Sequence, residues 1–335
     1  MWSEAGQAAD VVRAQLDGDA AAVARIAQRL IAHPPRAVVT CARGSSDHAA
    51  TYAKYLIETR LGVLTASAAP STSSVYAAPT LLEGALYLAI SQSGKSPDLL
   101  ASVEAAKTAG AFTLALVNDA DSPLAAMADE VLPLCAGPEL SVAATKSYIA
   151  DLAAVAQLVA AWSQDVALSA ALEGLPLALS QAWALDWSAA VPRLRDAKNL
   201  FVLGRGVGFG VAQEAALKFK ETCGLHAEAF SAAEVLHGPM ALVKPGFPVL
   251  IFAQNDETRS SVEAMAASLT ARGAEVLLAA PGADGPGDLP AIAYHPALEP
   301  ILMIQSFYRM ANALSVARGY DPDKPPHLNK VTETV

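Results

Sequence analysis

The sequence predicts an α/β protein made of two tandem copies of one domain, each a parallel sheet with helices on both faces. Apolar strand patterns alternate with helical patterns along the chain, and this alternation is typical of a three-layer α/β/α fold of the flavodoxin type. A repeat supports the duplication, because residues 247–280 reproduce the order strand, polar turn, helix and strand of residues 85–117. The 335 residues suffice for two such domains.

Five segments are predicted in chain order. They are an N-terminal helical segment (1–35), a first domain (36–165), a helical connector (166–196), a second domain (197–318) and a C-terminal tail (319–335). The first domain is expected to contain strands at 36–42, 85–90 and 111–117 and helices at 47–60 and 99–110. The second domain opens on a strand at 199–206 and closes on a helix that reaches about residue 318.

Charge and hydropathy argue against several classes of partner. The formal net charge of −10 argues against a nucleic-acid partner, which would favour a basic stripe. It does not argue against a phosphate-bearing small molecule, because backbone N–H groups and hydroxyls can hold phosphate. The start of the chain lacks a signal-peptide pattern, and the apolar stretches are too short to span a membrane. We therefore expect a cytoplasmic protein without membrane or nucleic-acid partners.

The cysteines argue against a disulfide or metal framework. Cys41, Cys135 and Cys223 are odd in number and form no C-x-x-C pair, so neither a disulfide scaffold nor a structural zinc site is expected. The sequence His-Ala-Glu at 226–228 resembles one half of a zinc deaminase signature, but the cysteine half is absent. We expect neither a metal nor a cofactor.

A serine-rich turn follows the second predicted strand of the first domain. Residues 91–96 read Ser-Gln-Ser-Gly-Lys-Ser and lead into a helix. Hydroxyls and N–H groups at the carboxyl edge of a parallel sheet can cradle an anion. N-capping by one of these serines, with Pro97 at the first helical position, explains the same residues, and a cap still leaves N–H groups for a ligand. Ser45 and Ser46, which open an earlier helix, permit both interpretations.

A glycine-rich stretch in the second domain invites a dinucleotide-binding interpretation. Glycines at 204, 206, 208 and 210 follow a strand. Phe209, however, stands where the fingerprint G-x-G-x-x-G requires its third glycine. A tight strand-to-helix turn is the better explanation.

Several residues able to move protons lie close together in residues 213–243. Glu214, Lys218 and Glu221 fall on one face of a predicted helix. This spacing fits a solvated ladder of ion pairs, and in a cleft it would also fit a general base. His237 precedes a Gly-Pro pair in a constrained turn, where a histidine is either structural or functional.

These motifs, taken in order, resemble the tandem sugar-isomerase (SIS) domains in the isomerase half of glucosamine-6-phosphate synthase. The resemblance runs from about residue 36 to residue 335. Its motifs are S-Q-S-G-x-S-x-D at 91–98, V-A-x-T-K at 142–146, E-x-A-L-K-x-K-E at 214–221, H-A-E-A at 226–229, H-G-P at 237–239 and a terminal variant of N-L-x-K. The match therefore covers nearly the whole chain with specific motifs.

The resemblance implies a role for each matching residue. It implies that Glu221 moves a proton between C1 and C2 of the sugar, that His237 assists ring opening, and that Lys218 supports this acid–base centre. Lys330 is expected to form a Schiff base with a ketose C2, although from position alone a lysine so near the end would be exposed and inert. The sugar phosphate is expected to contact Ser45, Ser46, Ser91, Gln92, Ser93, Ser96, Val142, Ala144 and Asn329. The family usually takes the histidine from a neighbouring subunit, which implies a homodimer.

Departures from the synthase pattern favour a deaminase. No glutaminase-type start with a nucleophilic cysteine is present, Lys95 replaces a glutamate, and Ala144 replaces a serine. The hypothesis is a SIS-type deaminase/isomerase that converts glucosamine 6-phosphate to fructose 6-phosphate and ammonia without a metal. Alternatives on the same fold are an aldose–ketose isomerase, a galactosamine-6-phosphate deaminase, a fructosamine-phosphate deglycase and a non-catalytic sugar-phosphate sensor.

Overall fold

The computed structural model describes residues 1–330. The elements of the first half are α1 (Trp2–Ala5), α2 (Ala8–Ala32), β1 (Val38–Cys41), α3 (Ser45–Leu61), β2 (Thr65–Ser67), α4 (Ser71–Ser74), β3 (Leu86–Ser91), α5 (Pro97–Thr108), β4 (Phe112–Val117), α6 (Pro123–Met127), β5 (Glu130–Pro133) and α7 (Lys146–Ser163). Those of the second half are α8 (Val166–Ala184), α9 (Ala190–Leu194), β6 (Asn199–Gly204), α10 (Phe209–Cys223), β7 (His226–Ser231), β8 (Pro248–Phe252), α11 (Arg259–Ala271), β9 (Glu275–Pro281), β10 (Asp288–Ala291) and α12 (Glu299–Ala317).

These elements form two compact units, each organised around one sheet. The first-sheet unit comprises Asp10–Glu139 and Ser147–Glu173 and takes up the chain again at Asn329. The second-sheet unit comprises Met1–Ala9, Leu140–Lys146 and Gly174–Leu328. The chain therefore passes more than once between the units.

Both sheets have five parallel strands in the same order. The first runs β2-β1-β3-β4-β5, and the second, read from the equivalent edge, runs β7-β6-β8-β9-β10. Counted within each copy, both orders are 2-1-3-4-5, which is the flavodoxin-like order. The predicted fold class, two copies of a parallel sheet flanked by helices, is confirmed.

The central strands are apolar along their whole length because helices cover both faces of each sheet. The first five residues of β3 and all five of β8 are buried. A strand covered on one face only would instead alternate between apolar and polar residues. None of the helices in residues 1–330 combines the length and the hydropathy of a membrane-spanning segment.

The glycine-rich turn after β6 is explained by packing. A Cβ atom on Gly204 would overlap the carbonyl oxygen of Gly208, and one on Gly208 would overlap Gln254 Oε1. Close approach of backbone to backbone is a common reason for glycine at such a turn. These close contacts are those expected of a tight strand-to-helix turn.

Asp19 is a buried carboxylic acid on α2. Asp19 is 4% exposed, and its Oδ2 atom has no hydrogen-bond partner among residues 1–330. Burial raises the pKa of Asp19 from 3.8 to about 6, because removal from water disfavours the charged form. The folded state thus binds this proton more tightly than the unfolded chain does. The stability that protonated Asp19 contributes is fully present below about pH 4 and is lost as the pH rises through about 6.

We predict that Asp19→Asn flattens the pH dependence of stability. One pKa unit corresponds to about 1.4 kcal/mol. The free energy of unfolding of the variant should therefore exceed that of the natural protein by up to about 3 kcal/mol at pH 8, and the two should differ little at pH 4. Urea unfolding at several pH values measures this. Asp17→Asn, a substitution at an exposed position on the same helix, is the matched control. Identical pH dependence in Asp19→Asn and the natural protein would contradict the prediction.

Candidate active site

The serine-rich turn lies at the carboxyl edge of the first sheet, between β3 and α5. β1 pairs with β3 in this sheet, and α3 begins at Ser45 soon after β1. Residues that follow these two strands therefore emerge where the strand order reverses. Ligands usually bind in the crevice at this point of the topology.

Capping does not account for the hydroxyls of the turn. Ser96 occupies the N-cap position of α5 and Pro97 follows, but in the part of the chain that the structure describes the Ser96 side chain makes no capping hydrogen bond. The N–H group of Gly94 donates to Ser91 Oγ at 3.1 Å, which closes the turn. Four polar side chains here are half-buried: Ser91, Gln92, Ser93 and Ser96. These polar side chains lie between β3 and α5, where hydroxyls and N–H groups can meet an anion.

Gly94 and Arg43 stabilise the conformation of the chain at the carboxyl edge of the first sheet. Gly94 has a left-handed φ of +62°, and a Cβ atom there would overlap Ser122 of the next loop, so only glycine fits. Arg43 follows β1 and donates to Asp98 Oδ2 from Nε at 3.0 Å and from Nη2 at 2.7 Å. The Asp98 side chain is 2% exposed. This charge-assisted contact ties the end of β1 to the first turn of α5.

Ser46 and Lys95 also belong to the first-sheet unit. Ser46 is buried at the start of α3 and donates to Asp151 Oδ2 on α7 at 3.4 Å. Lys95 is half-exposed and lies 2.9 Å from Asp119. An exposed pair of this kind contributes little to stability. Lys95 is therefore only weakly held in its present position.

The polar face of α10 carries a buried ion cluster. Lys218 Nζ lies 3.1 Å from Glu214 Oε1 and 2.6 Å from Glu221 Oε2. The side chains of Glu214 and Lys218 have no exposed surface, whereas that of Glu221 keeps 19%. Tyr308 on α12 donates a hydrogen bond to Glu214 at 3.2 Å. The interpretation of this spacing as a solvated ladder is therefore wrong.

Burial and the neighbouring charges shift the pKa of Lys218 in opposite directions. Burial alone would lower the pKa of its ammonium group, but the carboxylates of Glu214 and Glu221 outweigh burial and hold the pKa above its ordinary value. Lys218 is consequently a fixed cation. It orients the partly exposed carboxylate of Glu221, and such an oriented carboxylate suits a general base.

His237 lies on an exposed loop of the second-sheet unit. It ends a short 3-10 turn, and Gly238 follows with a φ of 145° that a side chain would disfavour. Leu236 and Leu242 on the same loop are 63% and 61% exposed. The loop presents an imidazole together with apolar surface.

The end of the described chain is attached to the first-sheet unit. Lys330 is half-buried, and its Nζ lies 3.2 Å from Oε2 of the buried Glu139. Asn329 is exposed. Val142 and Ala144 are half-buried in the second-sheet unit. The structure thus distributes the predicted contact residues over both units.

A family model for the SIS domain matches residues 31–161 and 193–284 of this chain. The chain belongs to the SIS domain family. One matched segment contains the central strands of the first sheet, and the other those of the second. The resemblance to tandem SIS domains is confirmed.

Curated relatives of this SIS protein bear the name isomerizing glutamine–fructose-6-phosphate aminotransferase. The one from Aeropyrum pernix is 36% identical over 307 residues, which are 86% of this chain and 49% of the relative. The one from Mycolicibacterium smegmatis is 36% identical over 318 residues, which are 88% of this chain and 50% of the relative. The SIS protein spans about half the length of these relatives, and its resemblance to their isomerase half is confirmed.

Solved structures agree with the fold of the SIS protein. A structure from Silicibacter pomeroyi DSS-3 that bears the name phosphosugar isomerase is 45% identical, with a TM-score of 0.91, and the match covers 96% of this chain and 99% of that one. Glucosamine-6-phosphate deaminase from Thermotoga maritima has a TM-score of 0.75 at 23% identity, and the match covers 97% of this chain and 100% of that one. The second likeness concerns the fold alone.

The two SIS copies differ at the loop that forms the cradle in the first. In the second copy, Asp256 Oδ1 accepts hydrogen bonds from the backbone N–H group of Thr258 at 2.9 Å and from its hydroxyl at 2.5 Å. Asp256 Oδ2 accepts another from Gln254 at 2.8 Å. A carboxylate of the protein itself occupies the donors that would meet an anion. The loop of the second copy is therefore closed by its own carboxylate.

Sequence reasoning did not identify three of the residues that complete these arrangements. They are Tyr308, Glu139 and Asp151, the last of which accepts from Ser46. Each meets its partner through contacts distant in sequence. Only the position of Glu139, just before the V-A-x-T-K motif, offered a signal.

We predict that Lys218→Met destabilises the protein by about 3–5 kcal/mol, because it leaves Glu214 as a buried carboxylate without its cation. Adding Glu214→Gln removes that charge and keeps an acceptor for Tyr308, so the double variant should recover most of the loss. Urea unfolding measures both free energies. Arg195→Met, which breaks the exposed pair with Asp196, is the control and should leave the free energy of unfolding almost unchanged. A Lys218→Met variant no less stable than this control would contradict the prediction.

Proposed function

We propose that this SIS protein is a deaminase/isomerase that converts glucosamine 6-phosphate to fructose 6-phosphate and ammonia. The observation that carries the proposal is the partly exposed Glu221, held by a buried lysine that is charged at all working pH values. A sugar isomerisation needs one such base, able to take a proton from one carbon and return it to the next. The relatives named for fructose-6-phosphate amination support the choice of sugar.

In the proposed reaction, the first-sheet cradle holds the phosphate. The half-buried hydroxyls at 91–96 and the N–H groups that begin α5 are suitable donors. The net charge of the whole protein does not oppose this, since local dipoles and hydroxyls dominate at short range. Ser46 and the backbone near Val142 and Asn329 would contact the sugar.

The chemical steps need proton transfers but no oxidant. His237 assists opening of the pyranose, which exposes the C1 aldehyde next to the C2 amine. Glu221 takes the C2 proton and returns a proton to C1, while the C2 amine loses a proton and the C1 oxygen gains one. The aldehyde thereby becomes a CH₂OH group and C2 becomes an imine. Water then adds to C2 and ammonia leaves, which yields the ketose. Lys330 can perform the same exchange, with its amine displacing ammonia before water releases the sugar.

The proposal includes a homodimer with a shared site. The exposed Leu236 and Leu242 on the loop of His237 provide apolar surface that a second copy would cover. A two-fold axis would place the loop of each subunit on its partner in the same way.

The proposal is tested with purified protein, glucosamine 6-phosphate and separate assays of ammonia and fructose 6-phosphate. We predict equal amounts of both products, and a loss of about 10²–10⁴-fold in turnover for Glu221→Gln. The control is Glu228→Gln, which alters an exposed glutamate on β7 and should retain activity. Sugar-phosphate binding, measured by calorimetry, should survive in Glu221→Gln because the cradle is untouched.

Two outcomes would contradict the proposal. Ketose formation from an aldose phosphate without ammonia would indicate a simple aldose–ketose isomerase. Full activity in Glu221→Gln would remove Glu221 from its assigned role.

We further predict that two inactive variants complement each other. Mixed Glu221→Gln and His237→Ala subunits, unfolded and refolded together, should regain about a quarter of natural activity, because half the dimers are mixed and each has one intact site. The activity of each variant refolded alone is the baseline. A mixture no more active than the baseline would contradict a shared site.

A further inference from the structure

Lys330, the last residue that the structure describes, forms an ion pair with Glu139. Lys330 Nζ lies 3.2 Å from Glu139 Oε2, and the side chain of Glu139 has no exposed surface while that of Lys330 keeps 25%. Both residues belong to the first-sheet unit. A buried carboxylate therefore meets an amine that is still partly open to solvent.

Glu139 is held in place from its other side by the start of α7. The hydroxyl of Ser147 donates to Glu139 Oε2 at 2.6 Å, and the N–H group of Ser147 donates to Oε1 at 3.4 Å. Ser147 is 1% exposed and lies in the first turn of an 18-residue helix, where the helix dipole favours a negative charge. These contacts hold the side chain of Glu139 in one orientation.

We infer that Glu139 is the proton acceptor and counter-ion of Lys330 in Schiff-base formation. This inference rests on the proposed function, which uses the amine of Lys330. An ammonium group has no lone pair, so Lys330 must lose a proton before it can attack carbon. Glu139 Oε2 is in direct hydrogen-bond contact with Nζ, so the proton can pass to it without an intervening water.

The proposed step conserves atoms and charge. Lys330 ammonium gives a proton to Glu139, and the free amine forms a C–N bond to C2 of the ketose as the C=O bond opens. The attacking nitrogen then passes a second proton to the C2 oxygen, which becomes a hydroxyl group. Glu139 returns its proton as the C2 oxygen leaves as water, and an iminium ion remains. Lys330 is cationic before and after, so the carboxylate stabilises both ends of the step.

The inference is tested by trapping. The full-length protein is incubated with fructose 6-phosphate and sodium cyanoborohydride between pH 5.5 and 9, and mass spectrometry measures the sugar adduct on Lys330. We expect trapping in the natural protein, a fall of about 10²-fold in Glu139→Gln at neutral pH, and a rate in that variant that rises with pH because solvent base must remove the proton. Glu139→Asp should recover part of the loss.

Control variants separate chemistry from folding. Glu130→Gln removes a partly exposed carboxylate from the same unit, one that pairs with Arg25, and should trap like the natural protein. Ser147→Ala keeps the carboxylate but frees it to turn, so its trapping should fall less than in Glu139→Gln. This variant replaces Glu139→Gln as the test if the latter does not fold.

The outcomes separate the role inferred for Glu139 from the proposed deaminase activity. Trapping in Glu139→Gln at the natural rate and with the natural pH dependence would overturn the inference, as would unchanged trapping in Ser147→Ala if that variant serves as the test. No adduct on Lys330 of the natural protein would also overturn it. Ammonia release in the same preparation would then show that the proposed deaminase survives with water as its nucleophile.

Discussion

The buried ammonium of Lys218 is the constraint around which the second-sheet unit is arranged. A lysine without exposed surface is tolerated only because two carboxylates of its own helix reach it. One of them, Glu214, is enclosed and receives a further hydrogen bond from α12. The other, Glu221, is left partly exposed. The same electrostatic requirement that makes the helix foldable therefore also produces an oriented carboxylate at the surface of α10.

Duplication of the SIS domain has given the two copies different chemistry on one topology. Both sheets have the order 2-1-3-4-5, so both offer a crevice where the strand order reverses. The first copy keeps hydroxyls and N–H groups there. In the second copy, Asp256 accepts the hydrogen bonds of the corresponding loop. That copy instead contains the charged face of α10. In the proposed enzyme, one copy binds and the other supplies the base.

Much of the fold could be predicted because the central strands are continuous apolar runs between glycine and serine turns. The edge strands could not, since β2, β5 and β10 have only three or four residues each and β7 alternates histidine and glutamate with alanine. The spacing of Glu214, Lys218 and Glu221 fits a solvated or a buried face equally well. Tyr308, far along the chain, lies against that face, and no local pattern announces such a partner. For the same reason, the contact of Glu139 with Lys330 could not be predicted.

Glu221 is proposed to move a proton between C1 and C2, and a deuterium atom placed at C2 of glucosamine 6-phosphate reports on that transfer. We expect nuclear magnetic resonance to find the label at C1 of the fructose 6-phosphate formed or exchanged into water, and a slower reaction than with the unlabelled sugar. Glu221→Gln should lose the label from C2 about 10²–10⁴-fold more slowly than the natural protein. Loss of deuterium from C2 at the same rate in both proteins would contradict the assignment of Glu221 as the base.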